Sequence, residues 1–231
     1  MAPPPPAPDR LLPVRFALYA AALVGGGHLL VAAVVARGTG FAAEDGPLEL
    51  AQVAVAAGGA ALLILAAHRT AAGRAGLAAC AGALLYAAAR ECDGWFERTF
   101  FDDAYKYLAG LPIAAAVGFI AWRDRRNWPE SLRWCGHPSA GLFLCGGLQV
   151  VAVAALLERP ALWLFVDDFD QAEAMKRVVE ECCELAGYAA LAAGSLELFL
   201  TVRGENAAAA AQAARPAPAP AVAAPALRAA A

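Results

Sequence analysis

The sequence predicts an all-α fold, a polytopic membrane protein built as a bundle of six transmembrane helices. Of the 231 residues, 61% are apolar and only 17% are charged, and the mean hydropathy is +0.53. A soluble domain is about 45–50% apolar and about 25% charged. The apolar residues are also concentrated in six blocks that are almost free of charge. This composition argues against a disordered chain and against an ordinary soluble enzyme.

The six apolar blocks have the length expected of membrane helices. A hydrocarbon core of about 30 Å requires about 20 helical residues. The third and fourth blocks are shorter, and they can cross if Arg90 and Lys106 extend their side chains toward the interface. Several blocks contain glycines, which allow neighbouring helices to pack closely. The blocks are residues 16–36, 48–67, 75–90, 106–122, 139–157 and 178–202.

The transmembrane domain is therefore predicted at residues 16–204, with a tail on each side. Residues 1–15 are rich in proline, which lacks the N–H group that a helix needs. Residues 205–231 are an Ala/Pro sequence with too few large apolar side chains to fold alone. We expect both tails to be disordered. The strong preference for arginine over lysine, sixteen against two, is typical of a GC-rich bacterial genome.

The loops predict the orientation in the membrane. With both termini in the cytoplasm, the inner segments hold eleven basic residues and the outer segments seven. Cytoplasmic loops carry the excess of lysine and arginine in multi-pass membrane proteins. The arginine-rich loop at residues 123–137 contributes most to this difference. We therefore expect a multi-pass protein of the inner membrane with both termini cytoplasmic.

Acidic residues are distributed even more unevenly, since sixteen of the twenty-one fall on the predicted outer side. Four helices place a charged residue at nearly the same depth, roughly 24–30 Å from the basic residue that closes the same helix on the inner side. A charge facing lipid at this depth would be costly, so the side chains are expected to turn inward. The four residues are Glu49, Arg90, Lys106 and Glu184.

Helical spacing adds partners to this layer of charge. Asp45, Glu49 and Gln52 share one helix face, and so do Arg177, Glu181, Glu184 and Tyr188. Tyr86, Arg90, Asp93 and Glu97 also share a face, provided that the third helix continues past the membrane. The predicted binding pocket, open to the outer side, consists of Glu49, Gln52, Tyr86, Arg90, Asp93, Lys106, Glu181, Glu184 and Tyr188.

The chemistry of this pocket favours oxygen ligands. A hard divalent cation needs only carboxylate oxygens, and the candidate ligands are Glu49, Asp93, Glu180 and Glu184. None of the three histidines reaches the acidic side, which argues against a histidine-bound zinc. Cys92, Cys182 and Cys183 all lie on the predicted outer side, which permits a disulfide from Cys92 to Cys182 or Cys183 in an oxidising compartment.

Three functions fit these features. The pocket binds or transports a cation, a proton or a polar solute or head group; or the protein is a lipid hydrolase or transferase that uses carboxylates or a metal; or it is a structural or accessory subunit of a membrane complex. The expected partners are the lipid bilayer and either another membrane protein or a second copy of the chain. The net charge of −3 argues against nucleic acid.

Overall fold

The computed structural model describes residues 11–42, 46–157, 159–163, 166 and 168–214, and nearly all of them are helical. No strand occurs in these ranges, so the predicted all-α class is confirmed. The helices are α1 (Leu12–Arg37), α2 (Pro47–Arg69), α3 (Arg74–Arg90), α4 (Asp93–Thr99), α5 (Leu111–Arg123), α6 (Trp128–Ser131), α7 (Ser139–Leu148), α8 (Ala154–Leu157) and α9 (Phe169–Ala213).

Two π-helical segments extend these helices. Lys106–Gly110 leads directly into α5, and Gln149–Val153 joins α7 to α8. Each of the six apolar blocks therefore lies within one helical stretch. Four stretches are long and apolar enough to cross a membrane: Leu12–Arg37, Pro47–Arg69, Ser139–Leu157 and Phe169–Ala213.

The core forms where α2 packs between α3 and α9. Its fully buried members are small or branched apolar residues, among them Leu63, Leu77 and Val202. At Gly59 a Cβ atom would lie 3.3 Å from the Ala192 Cα, so glycine permits the close approach of α2 and α9. With 45 residues, α9 is roughly 67 Å long, which exceeds the thickness of a bilayer.

The glycines of the apolar blocks differ in what they contact. Seven of them have a neighbouring side chain or backbone atom within 4 Å of where a Cβ atom would lie: Gly59, Gly76, Gly82, Gly110, Gly146, Gly187 and Gly194. At the other seven a Cβ atom would meet nothing within 4 Å among the described residues: Gly25, Gly26, Gly27, Gly58, Gly118, Gly141 and Gly147. Close packing therefore explains half of the fourteen glycines in the apolar blocks.

The α2–α3 turn anchors the arginine-rich loop. Gly73 has a φ of 69°, in the left-handed region that glycine adopts without strain. The Trp134 indole Nε1–H donates to the Gly73 carbonyl at 3.0 Å. The Gly76 amide donates to the Ser131 hydroxyl at 3.1 Å. These two hydrogen bonds attach the loop at residues 123–137 to the turn between α2 and α3.

Helix α1 contains no buried residue and is attached mainly through one charged cluster. The Arg15 guanidinium donates to both carboxylate oxygens of Glu197, at 2.6 and 2.9 Å. The Tyr19 hydroxyl donates to the same carboxylate at 2.6 Å. Glu197 is fully buried on α9, so this pairing compensates for its burial.

Helices extend past both predicted boundaries of the transmembrane domain, while the division into a domain and two tails stays a prediction. Helix α1 begins at Leu12, within the predicted tail 1–15, and Pro13 lies in its first turn, where the missing N–H of proline breaks no helical hydrogen bond. Helix α9 continues to Ala213, beyond residue 204, because the alanine run after Asn206 has high helix propensity. Residues 1–10 and 215–231 lie outside the described residues, so disorder in the tails stays a prediction.

Candidate functional site: a charged pocket at one end of the bundle

A cavity of about 270 Å³ lies where the start of α2, the end of α3 and the first turns of α9 meet. All ten of its lining residues are charged, seven acidic and three basic. We refer to this cavity as the charged pocket. Its lining residues are Glu49, Arg90, Glu91, Asp93, Glu173, Lys176, Arg177, Glu180, Glu181 and Glu184.

The helix ends position these side chains. Helix α2 begins at Pro47, which places Glu49 in the first turn, where the helix dipole favours a carboxylate. Helix α3 runs antiparallel to α2 and ends at Arg90. Arg90 and Glu91 therefore lie at the same end of the bundle as Glu49. Helix α9 contributes the residues from Glu173 to Glu184 along one side. The pocket therefore forms at the end of the bundle where α2 starts and α3 stops.

Arg90 lies between two buried carboxylates. Its Nη2 is 3.6 Å from the Glu184 Oε1, and its Nη1 is 3.8 Å from the Glu91 Oε1. The Arg90 side chain is 47% exposed, whereas those of Glu184 and Glu91 are only 4% and 7% exposed. One half-exposed guanidinium thus faces two buried carboxylates at distances longer than a close hydrogen bond.

Tyr188 lies below this trio. Its hydroxyl donates to the Glu91 Oε1 at 2.7 Å, and the tyrosine is almost fully buried. Burial raises the pKa of the Glu91 carboxyl, while the Tyr188 hydroxyl and the Arg90 guanidinium act in the opposite direction. The negative charge on Glu91 is therefore held against a desolvation cost.

Gln52 lies under the pocket on the α2 side and is fully buried. Its Nε2 donates to the Glu181 Oε2 at 2.8 Å and to the Glu181 main-chain carbonyl at 3.0 Å. The Gln52 Oε1 has no hydrogen-bond partner among the residues that the structure describes. Gln52 thus connects α2 to α9 directly below the pocket.

The rim of the pocket is exposed, in contrast to its interior. Asp93, Glu173 and Arg177 are all exposed. The Lys176 ammonium pairs with Glu173 one turn away, at 3.4 Å, and the Asp93 carboxylate accepts from the Gly94 amide at 2.7 Å. A solute would therefore enter past a hydrated rim and reach the buried carboxylates of Glu91 and Glu184.

The structure brings together most of the predicted pocket residues. Five line the charged pocket: Glu49, Arg90, Asp93, Glu181 and Glu184. Gln52 and Tyr188 contact lining residues from below. All four predicted metal ligands also line the charged pocket: Glu49, Asp93, Glu180 and Glu184. Asp45, predicted to share a face with Glu49, lies outside the described residues.

Lys106 and Tyr86 lie apart from the charged pocket, contrary to the prediction. The Lys106 ammonium pairs with the Asp103 carboxylate of its own turn, at 2.6 Å. The Tyr86 ring lies 6.0 Å from the Tyr105 ring and packs against Gly110. Residue counting estimates depth along a helix but not rotation about its axis. The π-helical segment that begins at Lys106 further changes that rotation.

Glu91 is the main pocket residue that helical spacing missed. The face shared by Arg90, Asp93 and Glu97 required α3 to continue, but α3 ends at Arg90 and a new helix starts at Asp93. Glu97 instead accepts a hydrogen bond from the Asp103 amide, at 3.4 Å. The Asp93-Gly94 pair is a sequence signal for such a break.

The predicted metal ligands and cysteines can be compared with their positions in the structure. Within the described ranges, no group of three or more His, Cys, Asp and Glu side chains is arranged to hold a metal ion. All six cysteines are free thiols, so the bridge considered for Cys92 is not formed. His137 lies away from the pocket and contacts the hydroxyls of Ser139 and Thr201, at 2.7 and 3.0 Å.

The arrangement suits the binding of a small cation. Seven acidic residues line the pocket against three basic ones, and this excess of negative charge attracts positive charge. Comparison of this chain with protein-family models, with curated proteins and with solved structures finds no match. The chemistry of the charged pocket is therefore the basis for a functional proposal.

Proposed function

We propose that this is a multi-pass membrane protein that binds a small cationic solute in the charged pocket, at the outer face of a bacterial inner membrane. The observation that carries the proposal is the single guanidinium of Arg90 facing the buried carboxylates of Glu91 and Glu184. An entering cation would offset the excess of acidic over basic side chains, seven against three, that lines the pocket. Such a site is expected to be functional, because uncompensated burial of carboxylates costs folding free energy.

We further propose that all six helical stretches cross the bilayer and that both termini are cytoplasmic. Four stretches have the required length and hydropathy. The other two, α3 and residues 106–123, pack against each other, and α3 also packs against α2 in the core. Arginines gather at the end opposite the charged pocket, where Arg69, Arg74 and Arg133 lie. The positive-inside rule supports placing that end in the cytoplasm.

The lack of buried residues on α1 favours a second candidate function, an accessory subunit of a membrane complex. In that case a helix of another membrane protein, or of a second copy of this chain, would cover α1. The two candidates differ in the role of the charged pocket, because an accessory subunit needs no solute there. Ligand binding therefore distinguishes them.

The test is ligand-dependent thermal stability of the purified full-length protein in detergent. The probes are putrescine, tetramethylammonium, Na⁺ and Ca²⁺, each raised to saturation. A ligand present at about 100 times its Kd stabilises the folded state by about 2.7 kcal/mol, which appears as a higher Tm. We expect at least one of these cations to stabilise the wild-type protein and to lose this effect in the variant Glu184→Gln.

The matched control is Asp170→Asn, which removes an acidic group from the exposed first turn of the same helix. This variant should retain the cation-dependent rise in Tm. If none of the four cations raises Tm, or if Asp170→Asn and Glu184→Gln respond alike, the binding function is contradicted and the accessory-subunit function is favoured.

A further inference from the structure

A second cavity, of about 700 Å³, runs along the bundle between α2, α3 and α5 and reaches the end opposite the charged pocket. We call it the apolar groove. Its volume falls within the range of about 300–1,000 Å³ that is typical of small-molecule sites. Most of its wall is apolar and includes Ile64, Leu85, Ile113 and Ile120. The groove thus offers a long apolar surface rather than a polar site.

The shape of the groove follows from how α5 meets α3. At Gly82 a Cβ atom would lie 2.5 Å from the Val117 Cγ2, so α5 approaches α3 closely at this glycine. Helix α2 packs on α3 as well. Helices α2 and α5 therefore form two walls, and the small residues Ala78, Ala81 and Gly82 of α3 lie between them in the lining.

One end of the groove carries positive charge. His68, Arg74 and Arg123 line it there, together with Asp124. The Arg74 Nε donates to the carbonyls of Ala67 and Thr70, both at 3.0 Å, which fixes the base of its guanidinium.

Neither Arg74 nor Arg123 forms a salt bridge within the described part of the chain. The Asp124 Oδ1 accepts a hydrogen bond from the Asn127 amide at 2.9 Å, while its buried Oδ2 has no hydrogen-bond partner among the described residues. Two arginines against one aspartate leave this end of the groove with a net positive charge that favours an anion.

We propose that the apolar groove binds an anionic phospholipid, with an acyl chain along its apolar wall and the phosphate at Arg74 and Arg123. The complementarity is twofold, because the long apolar wall matches a hydrocarbon chain and the two arginines match a phosphodiester. Arginine binds phosphate through paired N–H groups, and basic pockets between transmembrane helices on the cytoplasmic side bind anionic lipid head groups. This assignment requires the bilayer location proposed above but not the solute site in the charged pocket.

The test is lipid retention by the delipidated full-length protein in detergent, measured by native mass spectrometry. The probes are phosphatidylglycerol and phosphatidylcholine with identical acyl chains, and inorganic phosphate. We expect phosphatidylglycerol to bind at least tenfold more tightly than phosphatidylcholine. Removing one charge-assisted contact with Arg123→Gln should cost roughly tenfold in affinity for phosphatidylglycerol.

Two pairs of variants separate the groove from the general surface. Arg126→Gln is the control for Arg123→Gln, because Arg126 is an exposed arginine of the same loop that does not line the groove. Ala116→Trp fills the groove, and Ala115→Trp adds the same ring to an exposed position on the same helix outside the lining. We expect the two groove variants to lose phosphatidylglycerol and the two controls to retain it.

Several outcomes would overturn the proposal. Equal retention of the two lipids would show that the head-group charge is not recognised. Equal loss in Arg123→Gln and Arg126→Gln, or in Ala116→Trp and Ala115→Trp, would place the lipid elsewhere on the surface. If inorganic phosphate binds as tightly as phosphatidylglycerol, the site recognises an anion alone and the acyl chain has no role.

Discussion

Arg90 is the basic residue of the charged pocket that faces both of its buried carboxylates. Its guanidinium is half-exposed, but both carboxylates that it faces, Glu91 and Glu184, are buried. Removing the partner of a buried charge is more destabilising than removing the pair, because the remaining charge keeps its desolvation cost. The role of Arg90 can therefore be separated from the general effect of removing an arginine.

We predict that Arg90→Ala lowers the free energy of unfolding by about 1–3 kcal/mol, less than for a fully buried pair because Arg90 is half-exposed. Arg98→Ala, at an exposed position on the neighbouring α4, should change it by less than about 0.5 kcal/mol. The double variant Arg90→Met/Glu184→Gln should regain part of the stability but not the cation binding, because Glu91 stays buried and keeps only its hydrogen bond from Tyr188. Chemical denaturation in detergent measures the first effect, and the ligand-dependent Tm measures the second.

Similar losses in Arg90→Ala and Arg98→Ala would contradict this role of Arg90. If the double variant regains both stability and cation binding, the pairing of Arg90 with Glu184 is structural and the cation binds elsewhere.

At the residue scale, sequence spacing was most reliable where a helix continues without interruption. Glu181, Glu184 and Tyr188 lie well inside α9, and the i, i+3 and i, i+4 spacing placed them on one face. Glu91 follows the last residue of α3, where this periodicity no longer applies. Lys106 was placed by depth alone, and rotation of its helix directs it to Asp103 instead.

Glycines decide how closely individual helices approach, and α7 provides a controlled comparison. At Gly146 a Cβ atom would lie 2.6 Å from the Gly187 carbonyl oxygen and 2.8 Å from the Leu191 Cγ. At Gly147, the next residue, a Cβ atom would meet no atom of the described residues within 4 Å. Both positions lie in the same helix, so their intrinsic helix propensities are comparable.

We predict opposite effects for alanine at these two glycines. Gly146→Ala should destabilise the protein by about 1–3 kcal/mol, because the backbone of α7 or α9 must move to accept the methyl group. Gly147→Ala should be neutral or stabilise by roughly 0.5–1 kcal/mol, because alanine restricts the unfolded chain and fits the helix. Thermal unfolding of both variants in the same detergent measures the difference.

A Gly147→Ala variant as unstable as Gly146→Ala would show that the face with open space is also packed, for example against a second protein. In that case the free surface of α7 would be an interface.

At the element scale, hydropathy alone located the helical stretches. The blocks predicted at residues 48–67 and 75–90 correspond to α2 at Pro47–Arg69 and α3 at Arg74–Arg90. The predicted ends were less accurate for α9, because they relied on where the apolar residues stop. Helix α9 extends far beyond its apolar part in both directions, since its polar turns and its alanine run also favour the helix. Whether α3 continued past Arg90 was left open, because hydropathy marks the end of an apolar block and not the end of a helix.

Over the whole molecule, the two ends of the bundle differ in charge. The charged pocket, rich in carboxylates, occupies the end where α2 starts, α3 stops and α9 begins. The opposite end contains the arginine-rich loop and its contacts, such as the Arg133–Glu205 pair at 3.1 Å. Because α2 and α3 run in opposite directions, the segment after α3 lies at the same end as the start of α2. This arrangement makes the number of spans testable.

We predict that impermeant maleimide, added to intact cells, labels a cysteine at Asp102 and at Gln171 but not at Arg126. Each is introduced singly, as Asp102→Cys, Gln171→Cys or Arg126→Cys, into a variant lacking the six native cysteines, and all three positions are exposed. Gln171 and Arg126 report the orientation, since the arginine-rich loop is expected in the cytoplasm. Asp102 reports whether α3 and residues 106–123 cross the membrane.

If only four helices span the membrane, Asp102 lies on the cytoplasmic side and its cysteine, like that at Arg126, is not labelled. If Arg126→Cys is labelled in intact cells, the orientation is reversed and the charged pocket faces the cytoplasm; if it is labelled only after permeabilisation, the proposed orientation holds.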